Sequence, residues 1–145
     1  MKNRSVLLTM LRRAAILSGL SEQAGEDDEL QVVLVDAAEI TALNEAHLGH
    51  EGSTDVITFD LRDGATGPGE PQAVGEIYVC LDVAVQMGEE LGSGSGHEMV
   101  LYCVHGMLHL AGLDDHSPPD CAEMRAAEAR IMAKLRDIRD FRDIL

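Results

Sequence analysis

The chain has 145 residues, 46% of them hydrophobic and 26% charged, with a formal net charge of −15. That length suits one domain, 1–145, around a single core, and the apolar content excludes a disordered chain. No apolar run approaches the ~18 residues needed to cross a membrane, which excludes a membrane partner, and three cysteines without a CxxC pair fit reduced core thiols in a cytoplasmic protein.

In chain order, Leu7, Met10, Leu11, Ala14 and Leu17 recur at helical spacing and predict a helix over 5–18. The apolar stretch there is cut by Arg12 and Arg13 and lacks a cleavage-site pattern, so it reads as an amphipathic helix rather than a signal peptide. GEDDE at 25–29 is an acidic surface loop, and QVVLVD at 31–36 is a β-branched run typical of a buried strand. Residues 37–46 return to a helical pattern through Ile40 and Leu43. TDVITFDL at 54–61 reads as a second strand, with Thr54 and Asp55 shaping the turn into it. The glycine- and proline-rich stretch 62–72 is a loop of a length often found beside active sites. EIYVCL at 76–81 is a third strand, followed by a helix over 82–91 and a GSGSG breaker at 92–96.

A helix over roughly 97–111 then carries the most informative segment, HGMLHLAGLDDH at 105–116. His105 and His109, four apart, project from one helix face. Gly112 can take positive φ and end the helix, letting His116 close on the same point. Three imidazoles suit zinc or a similar divalent ion and leave a coordination position for water, the catalytic arrangement. The bland alternative, in which the histidines cap the helix end and bond Asp114 or Asp115, ranks below it. Peptidases with HExxH carry a glutamate beside the first histidine; here that neighbour is Gly106, so their base is missing, and Gly106 would serve close packing instead. His97, eight residues before His105, lies two turns and about 12 Å away by helix rise, too far to share an ion.

The last helix is announced by Ser117 as cap, Pro118 in its first turn and Asp120 three residues after the cap. Met124, Ala127, Ile131, Leu135, Ile138 and Leu145 mark its expected buried face. The alternation of elements gives an α+β domain, a small mixed sheet packed with helices, with the metal site at the end of a central HxxxH helix.

The chain resembles the YbeY family of bacterial ribosomal RNA maturation factors, whose signature reads approximately HGxLHLxGxDH. LNEAHLGHEGSTDVITFDL at 43–61 is similar to that family's LNxxYRxKDxPTDVLSF stretch, and GEIYVCLDVA at 75–84 to its GDIxIxxxVA strand. The resemblance covers most of residues 30–130 and departs in three ways. Six residues separate His109 from His116 where the family has five, so either the loop bulges and His116 still binds or Asp115 takes the ligand position; His116 is favoured. Leu48 stands at the family's arginine and His50 at its lysine, leaving His50 to supply part of the missing charge. The first eighteen residues leave little room for the family's first strand.

The resemblance implies a metal-dependent endoribonuclease holding one zinc or other divalent ion per chain. Its substrate would be single-stranded precursor ribosomal RNA, at the 3′ end of the small-subunit RNA, with a further role in ribosome quality control. Asp115 or Asp114 would relay the proton, Asp114 alternatively orienting a histidine ligand, and Thr54 and His50 would contact a substrate phosphate; water or the RNA's own 2′-hydroxyl would attack. The charge argues the other way. Residues 14–124 hold 22 acids against Arg62 alone, while four basic residues lie in 1–13 and six in 125–142. If the terminal helices pack side by side they form one basic strip; otherwise these are solvated helix faces. Weak intrinsic RNA affinity follows, with recruitment by the small ribosomal subunit, its proteins or an assembly GTPase. The rival readings are a non-catalytic ribosome-assembly factor whose metal is structural, and a metal hydrolase of a non-nucleic substrate.

Overall fold

In the computed structural model, which describes residues 3–24, 28–48, 54–62 and 73–145, the three apolar runs become β1 (Glu29–Val35), β2 (Val56–Asp60) and β3 (Ala73–Cys80). They form one mixed sheet in the order β1-β3-β2. β1 runs parallel to β3, with Val35 opposite Cys80, and β2 runs antiparallel to it, with Ile57 opposite Tyr78. β3 begins three residues earlier than its apolar run suggests, because Val74 and Gly75 also sit in the core. Leu81, read as the end of that strand, opens the next helix.

Successive side chains of a strand point to opposite faces, and the sheet divides its core accordingly. Ile77 and Val79 join the large cluster on one face, while Val35, Ile57 and Cys80 face Ile40 on the other. Ile40 belongs to α3 (Ala37–Leu43), which starts in a reciprocal capping box between Asp36 and Glu39 and continues as a π-helical turn over Asn44–Leu48. The large cluster also takes in α1 (Arg4–Leu17), the single turn α2 (Leu20–Gln23) and α4 (Leu81–Leu91). At its centre lie α5 (Ser95–Leu110) and α6 (Pro118–Ile138).

α5 is buried almost all round, through Met99, Val100, Cys103, Val104, Met107 and Leu108. Gly106 lets it lie against the sheet. A Cβ there would stand 2.9 Å from Ile77 Cγ2 and 2.9 Å from Thr58 Oγ1, both on short, stiff side chains. The helix begins at Ser95, within the stretch read as a breaker, and it includes Gly96 because the backbone of Phe141 crosses where a side chain would be. α6 starts as expected, with Ser117 Oγ accepting from Asp120 N. Its buried stripe is Met124, Glu128, Ile131, Met132 and Leu135. Ile138 is exposed and Leu145 lies beyond the helix, because the chain turns extended at Arg139 and folds Phe141 and Ile144 back into the core.

α1 and α6 do pack together, and part of their basic charge is partnered. Arg139 pairs with Asp143, Arg142 with Asp140, and Arg136 lies over the Phe141 ring. No described helix is long and apolar enough to cross a membrane. The three cysteines are free, and burial pushes the Cys103 thiol up to about 12.

Gly106→Ala should therefore destabilise the fold despite the ~1 kcal/mol helix-propensity gain of alanine. The expected net loss in urea unfolding is about 1–2 kcal/mol, the scale of a forced core overlap; unchanged or raised stability would show slack between helix and sheet.

Candidate metal centre

The C-terminus of α5 is closed by a Schellman motif. Leu113 N donates to Leu108 O at 2.9 Å and Gly112 N to His109 O at 3.0 Å. The motif needs a left-handed residue after the cap, and Gly112 supplies it at φ 113°. The next carbonyls are satisfied from elsewhere: Arg62 Nη2 donates to Leu110 O and Gln23 Nε2 to Ala111 O. Arg62, the lone basic residue of the middle of the chain, is thus committed to the helix end, where a cation is favoured.

This turn sets the histidines. The Leu113 carbonyl comes back over α5 and accepts from His109 Nδ1 at 3.0 Å, while the Glu128 carboxylate of α6 accepts from His105 Nδ1 at 2.7 Å. Both partners are acceptors, so each Nδ1 carries the proton and each Nε2 presents a lone pair. The two Nε2 atoms are 2.9 Å apart. Two lone pairs at that distance repel unless a cation lies between them. Asp115 Oδ2 stands 3.6 Å from each, and the ligand atoms of His105, His109 and Asp115 all fall within 4.8 Å of one another. Two imidazole nitrogens and a carboxylate oxygen, with the rings held from behind, form a donor set that fits zinc or a similar divalent ion.

Asp115 is held there by its own turn. Its N–H donates to Asp114 Oδ1 at 2.8 Å, and Cys121 Sγ donates to its carbonyl at 3.0 Å. His116 is not grouped with the other two histidines: its side chain is 84% exposed and its Nε2 lies 3.1 Å from Asp114 Oδ1, in a second group of possible ligands with Asp114 and Asp115. The structure thus brings His105, His109 and Asp115 together, with Asp114 and His116 paired on the rim. These five residues line an open cleft of about 520 Å³, walled on the other side by β2 from Val56 to Asp60. Arg62 holds the Asp60 carboxyl below the usual carboxylate range through its side-chain hydrogen bond, against the effect of burial. Thr54 lines a neighbouring cleft, and His50 lies outside the described residues. His97 packs edge-on to Phe141, apart from this group.

Two partners escape the sequence reading. Glu128 has a local signal, a carboxylate set in an apolar stripe between Met124 and Ile131 and 3% exposed in the fold. The Leu113 carbonyl has none beyond the helix-ending glycine before it. Asp114, the residue read as a possible anchor for a histidine, accepts from Asp115 N and lies against His116.

Comparison with known proteins gives the chain its relatives. The family model for endoribonuclease YbeY matches residues 3–136. Endoribonuclease YbeY of Elusimicrobium minutum is 38% identical over 127 residues, 88% of either chain. That of Salinispora tropica is 35% identical over 142 residues, 92% of this chain and 88% of its own. The solution structure of a Thermotoga maritima protein superposes with a TM-score of 0.61 at 25% identity, covering 93% of this chain and 84% of that one.

Replacing Glu128 by Gln removes the charge behind His105 while keeping the side chain's shape. Affinity for zinc, measured by chelator competition, should fall about 10–100-fold with the circular dichroism spectrum unchanged. Unaltered affinity would mean that the carboxylate does not tune the ring.

Proposed function

The chain belongs to the endoribonuclease YbeY family, and on that footing we propose that it is a metal-dependent endoribonuclease of ribosomal RNA processing. It acts in the cytoplasm on single-stranded precursor ribosomal RNA, maturing the 3′ end of the small-subunit RNA and serving ribosome quality control. The observation that carries the reading is the convergence of His105, His109 and Asp115 on the floor of an open cleft.

His105 and His109 hold the ion through Nε2, and Asp115, 3.6 Å from both, is the third donor; His116, assigned that place from the sequence, sits on the rim. Zinc is the ion that two imidazoles and a carboxylate fit. When bound, such an ion supplies a Lewis acid for a phosphoryl oxygen and acidifies a coordinated water. Glu128 and the Leu113 carbonyl keep both Nδ1 protons in place, so the rings cannot turn their lone pairs away. Asp114, half exposed beside His116, is placed to accept a proton at the cleft edge. Thr54, read from the sequence as a phosphate contact, stands farther along in the neighbouring cleft, where its hydroxyl meets the substrate beside Asp55. An acidic surface gives little nonspecific RNA affinity, so delivery to the substrate falls to the small ribosomal subunit, its proteins or an assembly GTPase. The same charge favours the rival reading, an assembly factor in which the metal is structural.

The deciding experiment measures metal content and cleavage of single-stranded RNA for the wild type, His109→Ala, Asp115→Ala and His116→Ala. Cleavage should fall at least ~10²-fold in His109→Ala, the scale of losing a catalytic group, and Asp115→Ala should lose metal that His116→Ala retains. Equal cleavage by wild type and His109→Ala would defeat the nuclease assignment. Metal lost from His116→Ala but kept by Asp115→Ala would move the third ligand to His116.

A further inference from the structure

Polar groups on α5 do not stop at the histidines. Glu98, Tyr102, His105 and His109 follow one another at spacings of four, three and four, a single polar stripe whose first two members are themselves buried. The cleft over His105 and His109 uses β2 from Val56 onward. One turn back along the same helix, a second open cleft of about 460 Å³ uses Tyr102 with Thr54 and Asp55, the residues leading into that strand. Val83 and Met87 of α4 form its apolar wall, and Arg125 of α6 closes it. Tyr102 and His105 are three residues apart, about 4.5 Å of helix rise.

Arg125 ties the two clefts together. Its Nη1 donates to Glu128 Oε1, and the other oxygen of Glu128 holds His105. One nitrogen of the guanidinium is thereby fixed. Its side chain is 62% exposed, and the other donors of the fork have no further partner among the described residues. Arg62, by contrast, is committed to Asp60 and the end of α5.

We infer that this second cleft is a nucleotide subsite for the strand running through the metal cleft, with Arg125 contacting a phosphate adjacent to the one cleaved. The chemistry orients the ligand. An anion is favoured on the α6 side, at Arg125, and disfavoured on the β2 side, where Asp55 stands. The Thr54 hydroxyl and the Asp55 carboxylate suit the other half of a ribonucleotide, accepting from a 2′-hydroxyl or a base amine. Val83 and Met87 offer the apolar surface between. Glu98 also lines the cleft, its carboxylate accepting from Ser93, so among the described lining residues Arg125 is the one cation and the place for the phosphate.

The inference rests on the endoribonuclease reading, and the two can fail separately. Arg125→Gln keeps a donor for Glu128 but loses the charge, and Met87→Glu puts an anion on the opposite wall, away from Glu128. The probe is a fluorescent 2′-O-methyl oligoribonucleotide, read by anisotropy against salt with the metal-loaded protein, beside cleavage kinetics on unmodified single-stranded RNA. Arg125→Gln should raise Kd and KM about tenfold, as expected for a charged hydrogen bond. It should also lower the slope of log K against log salt by about 0.7, one single-strand phosphate contact, with metal content unchanged. Met87→Glu should weaken binding as well. If both variants bind like the wild type while the wild type cleaves, the subsite is wrong and the nuclease reading stands. If the variants weaken binding but no protein cleaves, the subsite stands and the nuclease reading falls. A wild type that neither binds nor cleaves overturns both.

Discussion

Everything at this site depends on where two protons are. An imidazole offers a lone pair at Nε2 only while Nδ1 keeps its hydrogen, and in water the two tautomers exchange. Here the exchange is stopped from behind, by Glu128 on His105 and by the Leu113 carbonyl on His109. The anchors differ in kind. The carboxylate holds its ring through a charged hydrogen bond, the carbonyl through a neutral one. HxxxH spacing alone would bring two rings to one face without deciding which nitrogen each presents. The metal centre is therefore a product of three elements: α5 for the rings, α6 for the carboxylate, and the Gly112 turn for the carbonyl.

Burial explains why those elements hold still. Glu128 is almost wholly removed from water, and a buried carboxylate without partners would not remain ionised. Its two oxygens are taken by His105 and Arg125. Removing either partner leaves part of a buried charge uncompensated, which is costlier than the pair is stabilising. The same geometry thus serves packing and chemistry at once. α5 can sit deep enough for this only because Gly106, between the two histidines, lets it touch Ile77 and Thr58. A larger residue there would lift the whole histidine face away from β2 and widen the cleft.

Legibility in the sequence follows the range of the interactions. The strands, the helices, the Ser117 cap and the positive φ of Gly112 are written in neighbouring residues, and they could be read. The pairing of His105 with His109 is likewise local, four residues apart. Whether Asp115 or His116 comes to stand beside that pair is not, because the turn from Leu113 to His116 is set by Asp114, by Cys121 and by the closure of α5, none of which has a periodic signature. Glu128 lies twenty-three residues from the histidine it anchors. The terminal basic clusters misled for a related reason. Asp140 and Asp143 stand within reach of Arg142 and Arg139, so part of that positive charge is neutralised at home. Composition counts charges and does not see their partners.

Net charge is accordingly a poor guide to what this cleft can hold. A phosphodiester approaching the molecule meets a repulsive field overall, and over distances beyond the ~8 Å Debye length of physiological salt that field is largely screened. At contact, only the nearest groups count. Glu128 is offset by Arg125, and Asp115 faces two imidazole nitrogens 2.9 Å apart, a juxtaposition that calls for a cation. A divalent ion among them would leave the floor of the cleft net positive, reversing the sign of the surroundings. A surface that repels RNA and a site that attracts one phosphate are then compatible. Together they favour a strand that is presented to the site over one captured from solution.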